Sequence, residues 1–187
     1  YTALETVAAY RDVEPERDEE GEIIKWPEDI VVHDPATLEH RVLVSAAQLT
    51  PEGSDKALII DDYIWSEDRS KLLIYTNSVK VWRTKSRGDY WVLDVASGDL
   101  WQIGGGGMEA GSLQFAKFSP DASQVAFVHQ ANIYVQDLKT RNVEQLTTDA
   151  SETVINGLFD WVYEEEFHIK DGFRWSPDGR TIAYWQL

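Results

Sequence analysis

A strand–turn unit recurs along this chain and limits what it can fold into. Trp65-Ser66-Glu67-Asp68-Arg69 precedes the apolar run Lys71-Leu72-Leu73-Ile74-Tyr75. Phe118-Ser119-Pro120-Asp121-Ala122 precedes Val125-Ala126-Phe127-Val128, and Trp175-Ser176-Pro177-Asp178-Gly179 precedes Thr181-Ile182-Ala183-Tyr184-Trp185. Each is an aromatic residue, a turn and a strand. Proline presets φ in such turns, and glycine accepts positive φ. A second register runs beside the first. Asp29-Ile30-Val31-Val32-His33-Asp34-Pro35-Ala36-Thr37, Asp89-Tyr90-Trp91-Val92-Leu93-Asp94 and Asn132-Ile133-Tyr134-Val135-Gln136-Asp137 each read as a strand and an Asp-led turn. Together the registers predict an all-β chain of four-stranded antiparallel units, about 40–60 residues apart, which is the spacing of propeller blades.

The expected layout is a partial β-propeller of about three to four blades. The later strands of one blade fill residues 1–49, fuller blades fill 57–103 and 112–147, and a further blade opens over 154–187. A sandwich of short strands is the structural alternative, and the repeated unit favours the propeller. Since 4–8 blades are needed to close a ring, the sequence reads as part of one. Two segments break the repeat. Residues 11–29 gather Asp12, Glu14, Glu16, Asp18, Glu19, Glu20, Glu22, Glu28 and Asp29 against Arg11, Arg17 and Lys25, and read as a solvated hairpin extension or loop. Residues 150–172 interrupt a blade just before its turn, and inserts that break a repeat often carry function.

That second insert holds Asp160-Trp161-Val162-Tyr163-Glu164-Glu165-Glu166-Phe167. Three glutamates lie among aromatic residues. Trp161, Tyr163 and Phe167 are expected to be buried, holding the carboxylates at a defined place. A fixed carboxylate pair suits a cationic ligand such as an ammonium group. The competing reading is a solvated charge run or the first turn of a helix. Glutamates are good helix formers, so a short helix is expected there. Arg83, after Val81-Trp82, is the other candidate. Its rigid fork of donors suits carbonyl and carboxylate oxygens, and the alternative is a surface arginine paired with one of the many acids.

Composition closes off several classes. The 187 residues carry a net charge of −16, which argues against nucleic acid and anionic membranes and is compatible with cationic ligands. With no cysteine, disulfides and thiolate zinc sites are excluded. His33, His40, His129 and His168 show no ligand spacing, so no metal site and no cofactor is expected. Gly104-Gly105-Gly106-Gly107 lacks a following amphipathic helix and reads as a connection between blades, not a phosphate loop. No Gly-x-Ser-x-Gly elbow occurs, so no catalytic residue is expected in this chain.

The acidic octet resembles the signature of the dipeptidyl peptidase IV family. These are serine peptidases in which an eight-bladed propeller is joined to an α/β-hydrolase domain. Tyr75-Thr76-Asn77-Ser78-Val79-Lys80-Val81-Trp82-Arg83 is similar to the family segment whose arginine binds the substrate carbonyl. The likeness extends to Tyr1-Thr2-Ala3-Leu4-Glu5, Phe115-Ala116-Lys117-Phe118-Ser119-Pro120-Asp121 and Gly172-Phe173-Arg174-Trp175-Ser176-Pro177-Asp178-Gly179. The resemblance implies that Glu165 and Glu166 hold a peptide's free N-terminal amine. Asp160, Trp161, Tyr163 and Glu164 would support them. It also implies release of X-Pro or X-Ala dipeptides, with the triad in a hydrolase domain downstream. Further blades and that hydrolase domain are then the expected partners, a homodimer is compatible with open blade edges, and the location is periplasmic or secreted in a bacterial source. The strand-like start at Tyr1 predicts a natural N-terminus upstream. A non-enzymatic propeller binding module and a prolyl tripeptidyl peptidase remain open beside this reading.

Overall fold

The computed structural model describes every residue except 12, 15, 16 and 18–22. Strands β1 (Thr2–Thr6), β2 (Glu28–His33) and β3 (His40–Val44) form an antiparallel sheet in that order. Strands β4 (Asp62–Trp65), β5 (Lys71–Val81), β6 (Thr84–Asp94) and β7 (Leu100–Gln102) form a four-stranded blade. A second blade follows from β8 (Leu113–Phe118), β9 (Gln124–His129), β10 (Asn132–Asp137) and β11 (Val143–Gln145). The two blades meet where Gly88 of β6 pairs with Leu113 of β8. Helix α1 (Trp161–Phe167) comes next, before the hairpin of β12 (Phe173–Trp175) and β13 (Ile182–Tyr184). Among the described residues the fold is therefore all-β, with one short α-helix and a few 3₁₀ turns, as the strand–turn repeat predicts. In the acidic segment near the start, Arg17 and Ile23 form an antiparallel bridge. The hairpin expectation at Asp12, Glu16, Asp18, Glu19, Glu20 and Glu22 lies outside the described residues.

Alternation along each strand explains how the blades stack. Successive side chains of a strand point to opposite faces. Leu72 and Ile74 of β5 pack with Ile30, Val44 and Leu93 on the side of the first sheet. Leu73, between them, packs with Val92, Val125 and Phe127 toward the next blade. Strand β9 repeats this one blade later: Val125 and Phe127 face back, while Ala126 and Val128 pack with Ile133 and Phe173. Both faces of the inner strands are thus buried, and so they read as continuous apolar runs. Each large side chain buried this way contributes about 1.5–3 kcal/mol.

The recurring turns share one geometry. Ser66, Ser119 and Ser176 donate their hydroxyls to Oδ1 of Asp68, Asp121 and Asp178 at 2.7, 2.6 and 2.6 Å. The same oxygens accept the backbone N–H of Ser70, Ser123 and Arg180. Arg69, Ala122 and Gly179 occupy the same turn position with φ of 58°, 54° and 68°. Only the last is the residue that this conformation favours. Hydrogen bonds from Ser70 and Ser66 hold the Asp68 carboxyl down at about 2. Asp121 and Asp178 are lowered by the equivalent bonds, first from Ser119 and Ser176.

Depressed carboxylate pKa values stabilise the fold above the unfolded value and lose that contribution as pH falls through the folded one. The turns should therefore hold above pH 3.8 and weaken toward about 2, taking the Asp68 limits. Asp68→Asn/Asp121→Asn/Asp178→Asn keeps the acceptors and removes the titration. Urea midpoints measured down that pH range should fall less steeply in this variant than in the wild type. Equal slopes would show that the turns contribute nothing to acid lability.

Candidate functional site

Strands β5 and β6 run beyond the body of their blade as a hairpin, joined by Trp82 and Arg83 between the paired Val81 and Thr84. Trp82 takes φ of 53° to close so short a turn. The pairing shifts twice, between Thr76 and Val79 and between Val79 and Lys80. The first shift adds a residue on β5 and the second adds one on β6. Such bulges bend a strand and re-aim its side chains. Asn77, at φ 50°, donates its side-chain amide to Asp89 at 2.8 Å. Asp61 braces the same bulge, accepting from Ser78 N–H at 3.1 Å and Lys25 Nζ at 2.8 Å. Burial alone would raise the Asp61 pKa, but the Lys25 and Ser78 hydrogen bonds outweigh it and leave it lowered.

The acidic insert is pinched at its base and capped at both ends of its helix. Leu158 bridges Asp171, and Gly172 N–H donates to Gly157 O at 3.0 Å. The backbones approach so closely that a Cβ on Gly172 would lie 2.9 Å from Gly157 C and Leu158 N. Lys117 of β8 anchors the base by donating to Asp171 and, at 3.0 Å, to Phe173 O. Asp160 then caps α1, accepting from the N–H of Val162 at 2.9 Å and Tyr163 at 3.2 Å. An aspartate at this position typically contributes about 1 kcal/mol. His168 ends the helix in the left-handed conformation, φ 56°. It and Ile169 return their N–H groups to Tyr163 O.

Helix and hairpin tip meet through the glutamates. Glu164 is buried and accepts a hydrogen bond from the Thr84 hydroxyl, a residue 80 positions earlier. Glu165 Oε1 lies 3.1 Å from Arg83 Nε, with the two side chains 23% and 82% exposed. Glu166 is exposed one residue further on. The structure therefore brings Arg83, Glu164 and Glu165 together beside Glu166. A cleft of about 440 Å³ opens alongside, lined in part by Trp82, Phe159, Asp160, Trp161 and Glu164. An exposed arginine–carboxylate pair contributes little to stability by itself. Its exposed guanidinium and the neighbouring carboxylates form a polar site that can present both an acceptor pair and donors.

The expected burial of the octet's aromatic residues is wrong. Trp161, Tyr163 and Phe167 are 59%, 38% and 63% exposed. The helix touches the hairpin through its glutamates, and it turns Glu164 inward in place of the rings. The rings pack sideways instead, Tyr163 against Phe159 and Phe167 with centroids 5.0 and 5.9 Å apart. The carboxylates are placed by the Asp160 cap, the Thr84 bond and the Gly157–Gly172 pinch. The distant Thr84 and Lys117 were missed because no local pattern marks them. His129 is buried, with Nδ1 3.0 Å from Ser112 Oγ. His33 and His40, read as having no ligand spacing, are brought together with Glu5 across three strands. Gly105–Gly107 forms one 3₁₀ turn between β7 and β8.

Successive antiparallel four-stranded blades, stacked through their faces, define this chain as β-propeller structure, with an acidic helix set beside one blade's hairpin. The chain belongs to the family of the dipeptidyl peptidase IV (DPP IV) N-terminal region, whose description matches residues 66–187. It is 34% identical over 149 residues to the protein named "Probable dipeptidyl-aminopeptidase B" in Penicillium rubens, covering 79% of this chain and 16% of that protein. It is also 34% identical over 132 residues to dipeptidyl aminopeptidase B of Saccharomyces cerevisiae, covering 70% of this chain and 15% of that one. The crystal structure of Porphyromonas gingivalis dipeptidyl peptidase 4 superposes with a TM-score of 0.74 at 27% identity, over 92% of this chain and 23% of that chain. The chain thus spans about a sixth of the length of these curated relatives. Those relatives are fungal, so the expected bacterial source gains no support.

Proposed function

We propose that this chain is the amine-reading part of the propeller of a serine exopeptidase that releases X-Pro or X-Ala dipeptides from free N-termini. In this reading Glu165 and Glu166 receive the substrate's α-ammonium and Arg83 donates to a backbone carbonyl. The nucleophile belongs to an α/β-hydrolase domain outside these residues, and a secreted or periplasmic location goes with the same proposal. The observation that supports it is the docking of α1 on the hairpin tip, which puts the Arg83–Glu165 pair next to Glu166. An ammonium has three donors and fits between two carboxylates. Carboxylates held at a fixed distance from a nucleophile measure the substrate, because a chain extended past the amine has nowhere to go.

Charge on the amine is the discriminating variable. A free α-amino group has a pKa of about 7.7–8.0, and adjacent carboxylates raise it further. An N-acetyl group has no proton to hold. In the full-length protein that carries this chain, kcat/KM for an N-acetyl X-Pro substrate should be at least roughly a hundredfold below that of the free amine, on the order of 3 kcal/mol. Equal cleavage of both substrates would rule out the amine anchor. Release of tripeptides in place of dipeptides would move the site one residue outward.

A further inference from the structure

The first sheet gathers three potential metal ligands, one from each strand. Glu5 lies on β1, His33 at the end of β2 and His40 at the start of β3. His33 and His40 face each other directly in the β2–β3 pairing, with ring centroids 5.5 Å apart. Glu5 lies four residues along the β1–β2 ladder from that pair, opposite Asp29. Its side chain still reaches both rings, with Oε1 3.2 Å from His33 Nε2 and Oε2 3.7 Å from His40 Nε2. One ligand atom from each residue can be chosen so that all three lie within 4.8 Å of one another.

We propose that Glu5, His33 and His40 bind a zinc-type divalent transition-metal ion that ties the three strands of this sheet together. Two imidazoles and a carboxylate suit zinc, copper or nickel, and no thiolate elsewhere in the chain competes. Zinc bonds of about 2.0–2.1 Å in a tetrahedral site put ligand atoms roughly 3.3 Å apart. Glu5 Oε1 and His33 Nε2, 3.2 Å apart, already stand at that spacing, and the 4.8 Å limit on the three ligand atoms leaves His40 a short rotation to join them. The fourth position is left to water. An ion can enter, since the side chains of Glu5, His33 and His40 are 24%, 23% and 46% exposed.

The surroundings orient the ligands. Tyr1 stacks on the His33 ring with centroids 4.9 Å apart and planes 11° from parallel. Arg11 donates to Glu5 Oε2 at 3.1 Å, which leaves Oε1 for the ion. A hydrogen bond to the second oxygen of a ligating carboxylate is a usual outer-shell arrangement. The guanidinium charge opposes the ion, but Arg11, which also donates to Thr6 O at 3.0 Å, has a side chain 51% exposed, so water screens that charge. The net charge of −16 favours cations over the whole surface. Among the described residues β1 pairs with β2 alone, so a metal bridging Glu5 to both histidines would add a tie from β1 across β2 to β3. Binding to the folded state alone raises its stability.

The test uses the full-length protein that carries this chain, stripped with a chelator and then dialysed against zinc chloride. Wild type should bind one more zinc equivalent than His33→Gln/His40→Gln, and zinc should raise its Tm. In Glu5→Gln, which keeps both imidazoles, zinc affinity should fall by at least roughly tenfold. His168→Gln, in a histidine outside the sheet, should bind as wild type does. Circular dichroism in chelator checks that each variant is folded, and the Glu5 variant decides the matter where the double histidine variant is not. Equal zinc binding by wild type and Glu5→Gln would overturn the proposal, as would a Tm that zinc leaves unchanged. The histidines would then be plain polar neighbours of Glu5.

Discussion

Replacing Glu165 and Glu166 together by glutamine in the full-length protein should abolish most turnover of a free-amine X-Pro substrate and leave the fold intact. The substitution keeps shape and removes charge. Removing one partner of a desolvated charge pair costs roughly 2–5 kcal/mol, which is about 30- to 5,000-fold in kcat/KM. The fold should survive because neither side chain holds the insert. The Asp160 cap, the Thr84–Glu164 bond and the Lys117–Asp171 pair do that, and all three remain. Arg83 loses its acidic partner at 3.1 Å, but that pair is too exposed to matter for stability. Steady-state kinetics and circular dichroism on one preparation give both halves of the result. Undiminished kcat/KM would return the glutamates to a solvated acidic face.

Phe127→Ala should be the most damaging single substitution in the body of the blades. Phe127 is fully buried on β9 and packs with Leu73, Val92 and Leu113 between two blades. Its ring stacks on that of Tyr134, its direct cross-strand partner, at 5.7 Å. Truncating a buried phenylalanine removes its transfer free energy and leaves a cavity, together about 3–5 kcal/mol. That is a large part of the roughly 5–15 kcal/mol that holds a typical domain folded. Phe127→Leu keeps most of the volume and should cost less than about 1.5 kcal/mol. Equilibrium urea unfolding would show the alanine midpoint far below both others. A loss under about 1 kcal/mol would mean that the blades can close over the gap.

The fold was readable because its signals are local. Residues such as Leu72, Leu73 and Ile74 form short apolar runs, and Ser66–Asp68, Ser119–Asp121 and Ser176–Asp178 mark turns two residues wide. The octet was readable as a short helix for the same reason, with Asp160 at its start. What the sequence hid depends on register between distant segments. The two bulges that aim Arg83 leave no mark except Asn77 and Gly88. The Thr84 hydroxyl bonds a carboxylate 80 residues away. Glu5, His33 and His40 follow no ligand spacing, because a sheet brings them together through strand pairing. The aromatic residues of the octet misled for a different reason. Their hydrophobicity says that they favour burial, not that this chain supplies the surface to bury them.

The three apolar clusters lie between successive blades, not inside any one of them. Cohesion in such an array resides in its junctions, as in a stack of coins. A blade with a neighbour on each side is held twice, and an end blade once. Unfolding of such an array spreads inward from an end. Ring closure would give every blade two neighbours and make the whole act as a single cooperative unit. In the present chain the β1–β3 sheet shares one such junction with the blade that follows it, and the β12–β13 hairpin shares another with the blade before it, the second of them carrying the base on which the acidic helix stands.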